Sequence, residues 1–124
     1  MSKLKMKDIL ELTPVVTKIV NEENVSGAAK LKSADLVEPF QKKVELFEKE
    51  RRNIVVKYGE KQGDRDEYKV AVDKIDDYSK EIDEMLEVEY DITETKFTKE
   101  ELKLDVTKLT GLDLAALKKF GLLD

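Results

Sequence analysis

The sequence predicts an α+β fold: a long central helix, an N-terminal helix packed against it, and a small sheet of short strands. Three observations lead there. Leu36, Phe40, Val44, Phe47, Ile54 and Tyr58, together with the aliphatic stem of Arg51, recur at steps of three and four, which aligns them on one helical face. Val88, Tyr90 and Ile92 alternate with Glu89, Asp91 and Thr93, the period of a half-buried strand. Charged residues make up 41% of the chain and aromatics only 6%, a balance that suits helices with solvated faces better than a β-sandwich.

At 124 residues the chain is expected to form one domain, spanning 1–124, with a modest core. Leu4 and Met6 alternate with lysines and read as a short strand or an extended lead-in. Asp8 is placed to cap a first helix through Ile9, Leu10 and Leu12, which Pro14 kinks or restarts before Val15, Val16, Ile19 and Val20 continue its face. Ser26 is the expected N-cap of the next segment. Pro39 predicts a bend near Asp35, or a fresh helix starting at 36–39, because an interior proline costs about 3 kcal/mol. From Leu36 to Gly59 the central helix would run about 34 Å, too long to cover its own apolar face. Glu38/Lys42, Glu45/Lys49 and Glu48/Arg52 lie in the favourable acid-before-base order along it. Gly59 is the expected stop, in a left-handed conformation.

Beyond a turn at Gly63-Asp64, Tyr68, Val70 and Val72 predict a strand over 67–72. Asp73 should cap a helix carrying Ile75, Tyr78, Ile82, Met85 and Leu86 to about Glu87, and the strand near 87–95 completes the small sheet. Thr98 with Glu101, and Thr110 with Asp113, have the spacing of reciprocal caps for helices at 99–103 and 111–119. Leu104 and Val106 suggest a last short strand.

The chain has no cysteine and no histidine. A disulfide framework, a thiolate nucleophile and an imidazole base are therefore excluded, and only carboxylates, lysines, tyrosines and hydroxyls remain for chemistry. With a net charge of −5, duplex nucleic acid is not the expected partner. The basic N-terminus turns acidic before any long apolar run, so neither a signal peptide nor a membrane span is expected.

Three constellations are candidates for a site. The run Glu81–Thr95 holds Glu81, Asp83, Glu84, Glu87, Glu89, Asp91 and Glu94 with no lysine or arginine. It has no glycine-punctuated ligand loop for calcium, so no metal or cofactor is expected; it reads as a solvated sheet face or as an acidic face, centred on Glu87, Glu89 and Asp91, for a basic protein. Asp73, Asp76 and Asp77 with Lys74 and Lys80 share one helix, but nothing in the pattern buries them as acid–base catalysis would need. Arg51, Arg52, Lys57 and Tyr58 form the best phosphate or nucleotide candidate, since guanidinium grips phosphate with two prongs, although the interleaved glutamates favour a solvated face. Phe40, Phe47 and Ile54 are the candidate self-association face, predicting a homo-oligomer that Phe47→Asp or Ile54→Asp would break.

The segment FEKERRNIVVKYGEK (Phe47–Lys61), the turn and strand after it, the helix ending in EMLEVEYDI (Glu84–Ile92) and the leucine-rich close resemble a family of short proteins from tailed phages and prophages of Gram-positive bacteria. The chain departs from the family pattern at Pro39 and around 63–67. The resemblance implies a viral gene acting in the host cytoplasm; the family has no assigned activity, so it implies no chemistry. The resulting expectation is a non-enzymatic accessory protein that binds a phage or host protein, in virion assembly or host takeover. The alternative is an anti-defence protein that blocks an immune protein or sequesters a nucleotide signal.

Overall fold

Met6, Ile9, Leu12, Val15, Val16 and Ile19 fall on one face of α1 (Met6–Asn21), and all six are buried. The computed structural model describes residues 2–63 and 67–123. Asp8 lies inside α1 rather than ahead of it, and its carboxylate accepts the Lys5 amide at 2.9 Å. Ser26 caps α2 (Gly27–Tyr58) as expected, accepting the Ala29 amide at 3.1 Å.

Helix α2 is continuous for 32 residues, about 48 Å, and Pro39 neither splits nor restarts it. Pro14 is likewise inside a continuous α1. Both proline rings stand on exposed positions, away from the packed faces, and each removes one helical hydrogen bond, to the carbonyl of Leu10 or of Asp35. Packing of α1 against α2 outweighs the remaining local penalty.

The core lies between α1, the first half of α2 and the C-terminal segment. α2 contributes Ala29, Ser33, Leu36, Phe40 and Phe47, and the C-terminal part adds Phe97, Leu102, Ala116, Leu117, Leu122 and Leu123. Thr98–Glu101 and Thr110–Asp113 form the reciprocal caps predicted for α4 (Lys99–Leu102) and α5 (Gly111–Lys119). α5 ends where Gly121 takes φ +78 and the Leu122 amide reaches back to the Leu117 carbonyl at 2.8 Å, a left-handed exit that a side chain at 121 would strain. Leu104 and Val106 form no strand: Lys103 turns left-handed at φ 47, and the Val106 and Thr107 amides both bond its carbonyl.

The buried carboxylate of Glu22 ties this turn to the end of α1 by accepting the Lys108 amide at 3.2 Å and the Asn24 backbone and side-chain amides. Burial raises its pKa, but those donors outweigh it and the group titrates below its ordinary value. Glu22→Ala is expected to release the 103–110 turn, seen as faster hydrogen exchange at Lys108 while α1 amides keep their protection. Unchanged exchange at Lys108 would show that the turn holds without it.

The strands form two separate antiparallel pairs, not one sheet. β1 (Ser2–Lys5) pairs with β4 (Glu89–Ile92), and β2 (Gly59–Lys61) pairs with β3 (Tyr68–Val70). The 67–72 and 87–95 segments therefore never meet as strands. In the first pair Lys3 stands opposite Asp91 and Lys5 opposite Glu89, while Leu4 and Ile92 turn into the core; opposite charges outside and apolar residues inside fix this register.

Gly59 ends α2 in an extended conformation, φ −102 and ψ 165, not the left-handed one expected. Its lack of a side chain serves close approach instead. A Cβ there would collide with the Val55 carbonyl oxygen and lie 3.2 Å from the Lys69 carbonyl oxygen. The chain passes directly into β2, and the Gln62 amide bonds the Glu67 carbonyl at 2.8 Å across the hairpin. Of the predicted turn, Gly63 is described and Asp64 lies outside the described residues. Val72 leaves the strand for a single 3₁₀ turn, Val72–Lys74, so Asp73 does not cap α3 (Ile75–Leu86).

Candidate functional site

The second half of α2, the β2–β3 hairpin and α3 make an arm unlike the rest of the molecule. Among the described residues from 48 to 91, none is buried, although Ile54, Val55, Tyr58, Tyr78, Ile82 and Met85 are half-buried. Six large apolar side chains on or beside this arm are exposed: Leu46, Val56, Tyr68, Val72, Ile75 and Val88, with Val72 at 85%. The other exposed large apolar side chains, Leu31, Val106 and Leu112, lie elsewhere, as surfaces commonly allow. The concentration of exposed apolar side chains on the arm sets it apart from the rest of the described surface.

α3 is amphipathic, and its C-terminal end lies along α2 with a cleft of about 440 Å³ between them. Ile54, Met85 and Val88 supply its apolar lining, and Glu50, Glu81 and Glu84 its acidic edge. A second cleft on the other side of α3 adds Asp76, Asp83 and Glu87 and meets the first at Glu84 and Val88.

The structure does not gather the phosphate candidates into an anion site. Arg51 donates through Nε and Nη2 to the Glu48 carboxylate at 3.0 and 2.9 Å, and that bond raises its pKa. Lys57 pairs with Glu81 at 3.1 Å, which raises the ammonium and lowers the carboxylate, while its Nζ also lies 5.0 Å from the Tyr58 ring centre. Arg52 is exposed and lies one residue round the helix from Arg51, so the two guanidinium groups leave α2 in different directions. A phosphate would have to displace two internal carboxylates and approach a cleft whose rim is acidic. Along α2 the Glu38–Lys42 pair forms at 3.2 Å, but Glu48 takes Arg51 rather than Arg52.

The acidic run is not free of counter-charges once folded. Glu87 accepts from Lys5 at 2.5 Å and Lys7 at 2.9 Å, and Glu89 and Asp91 stand across from Lys5 and Lys3. The hydrogen bonds from Lys5 and then Lys7 hold Glu87 at about 2, well below its ordinary 4.5. A carboxylate with a lowered folded pKa contributes stability above its unfolded value and loses it as pH falls toward the folded one. The Glu87 contribution is therefore complete above about pH 5 and disappears toward pH 2. Glu87→Gln is expected to flatten that part of the acid-unfolding curve; a curve identical to wild type would exclude the link. Lys43 Nζ adds a further cation 5.0 Å from the Tyr90 ring centre.

Phe40 and Phe47 are buried in the chain's own core, so of the predicted self-association face Ile54 alone remains within reach of a partner. Phe47→Asp would unfold the chain rather than test assembly. Asp73, Asp76, Asp77, Lys74 and Lys80 are all exposed. Among the described residues there is no cluster of carboxylates able to hold a metal ion, and no helix is long and apolar enough to cross a membrane.

Sequence reasoning missed the groove itself. Met85 and Val88 were legible as apolar residues near the end of α3, but their meeting with Ile54, some thirty residues earlier in the chain, is tertiary. No family model, curated protein or solved structure matches the chain.

Proposed function

We propose that this chain is a non-enzymatic accessory protein of phage origin that acts by binding another protein in the host cytoplasm, in virion assembly or host takeover. The observation that supports this most is the arm: residues 48–91 hold five exposed large apolar side chains, Val56, Tyr68, Val72, Ile75 and Val88, an acid-edged groove and no buried described residue. Such a surface gains most from a protein that covers it. Blocking a bacterial defence protein would use the same surface and is the second reading. Its nucleotide-sequestering form draws less support, because Arg51 and Lys57 already serve Glu48 and Glu81.

The test is to express a tagged copy in a Gram-positive host, with and without phage infection, and identify co-purifying proteins and small molecules by mass spectrometry. Stoichiometric capsid or tail protein supports assembly, and a host defence protein supports immune antagonism. A bound nucleotide with no protein, or no partner under either condition, would overturn the protein-binding reading.

A further inference from the structure

The groove along α3 also has a shape and a charge that select among protein partners. Its apolar lining, Ile54, Met85 and Val88, sits between two antiparallel helices, the setting in which an amphipathic helix lays down anchors spaced three and four residues apart. From Glu81 to Val88 the cleft between the helices runs about 11 Å, room for about seven helical residues.

The rim supplies the sign. Glu50, Glu81 and Glu84 edge the first cleft, and Asp76, Asp83 and Glu87 edge the second, against Lys57 and Lys80. Lys57 is engaged by Glu81, and Glu87 by Lys5 and Lys7. No cation among the described residues pairs with Glu50, Asp83 or Glu84 in the structure. A ligand entering here meets uncompensated negative charge on both sides of an apolar floor, which repels phosphates and acidic peptides and attracts lysine and arginine.

We propose that the groove between residues 50–57 of α2 and residues 81–88, at the end of α3 and just beyond it, receives a basic amphipathic helix from a protein partner. The inference rests on the protein-binding reading above and narrows it to one surface and one partner chemistry. The helix places its apolar side chains against Ile54, Met85 and Val88, and its basic side chains over Glu50 and Glu84.

The probe is a synthetic peptide of about 15 residues, long enough to cross the groove, with leucines at three-four spacing and lysines elsewhere. Its binding is followed by titration calorimetry. The paired substitution Glu50→Lys with Glu84→Lys is expected to weaken binding at least about tenfold, since it reverses the rim next to the floor. Val88→Asp should weaken it similarly by removing an apolar anchor, whereas Glu23→Lys, an equal surface reversal outside the groove, should leave it unchanged. All four positions are exposed, and circular dichroism verifies that each variant folds. A peptide of the same composition without the three-four spacing should bind more weakly.

Equal affinity for the scrambled peptide, or equal loss with Glu23→Lys, would reduce the attraction to bulk charge and overturn the proposal. So would a concentration-dependent dimer abolished by the groove substitutions, which would make a second copy the occupant. Co-purification from infected cells separates the two levels. A partner retained by Val88→Asp and by the paired reversal overturns the groove while leaving protein binding standing, and the absence of any partner for the wild type overturns the broader reading.

Discussion

Replacing Phe40 by alanine is expected to remove about 3–5 kcal/mol of folding stability, a large share of the roughly 5–15 kcal/mol that holds a domain of this size together. Phe40 is fully buried in the first half of α2, in the core shared by α1 and the C-terminal segment, where close packing leaves little room to collapse around the lost ring. The same truncation at Ile54, half-buried on the arm of the same helix, should cost no more than about 1 kcal/mol, because much of its surface already meets water. Urea unfolding of the two variants, followed by circular dichroism, measures the contrast. The Phe40→Ala midpoint should fall steeply and the Ile54→Ala midpoint slightly; equal shifts would mean that the arm is packed as tightly as the core.

Gly59→Ala is expected to disturb the arm selectively. The added Cβ meets the Val55 carbonyl oxygen, lies 3.2 Å from the Lys69 carbonyl oxygen and 3.3 Å from the Tyr68 Cβ, so α2 and β3 must separate to admit it. Overpacking of this kind costs typically about 1–3 kcal/mol. Since neither strand of the hairpin is buried, the least costly relief is to detach it rather than to open the core. Hydrogen exchange should therefore speed at the Gln62 and Ala71 amides, which bond Glu67 and Tyr58 across the hairpin, and stay slow from Ile9 to Ile19. Uniform loss of protection would show that the molecule opens as one cooperative unit.

The two predictions together describe a molecule whose buried core and exposed groove occupy different halves of one long helix. Residues 27–47 of α2 are held by the core, whereas residues 48–58 carry the exposed groove. If the proposed partner binds there, the surface can adapt to it at the expense of the weaker half alone.

Features of this fold that depend on neighbours along the chain were legible in the sequence. The three-four spacing gave the buried faces of α1 and α2, and Thr98–Glu101 and Thr110–Asp113 announced the starts of α4 and α5, because a cap involves residues only three apart. Glu48 as the partner of Arg51 is also local, one helical turn away, and the competing Glu48–Arg52 spacing concealed it. Pro39 shows the limit of local rules: its cost in an isolated helix is real, but the exposed ring and the packed face opposite decide in favour of continuity.

By itself, then, the amino-acid sequence determined the α+β class, the helical segments, the caps at Ser26, Thr98 and Thr110, and the net charge of −5. Only the tertiary structure decided which strands pair, which cations are free, and where the groove lies. Lys5 and Lys7 reach Glu87 across about eighty residues, and Lys57 reaches Glu81 across 24, so an acidic run that looks uncompensated and a basic run that looks available are both partly neutralised on folding. The physical reason is range: capping and periodicity act within a helical turn, whereas charge pairing and cleft formation depend on side chains brought together by a core that no local pattern encodes.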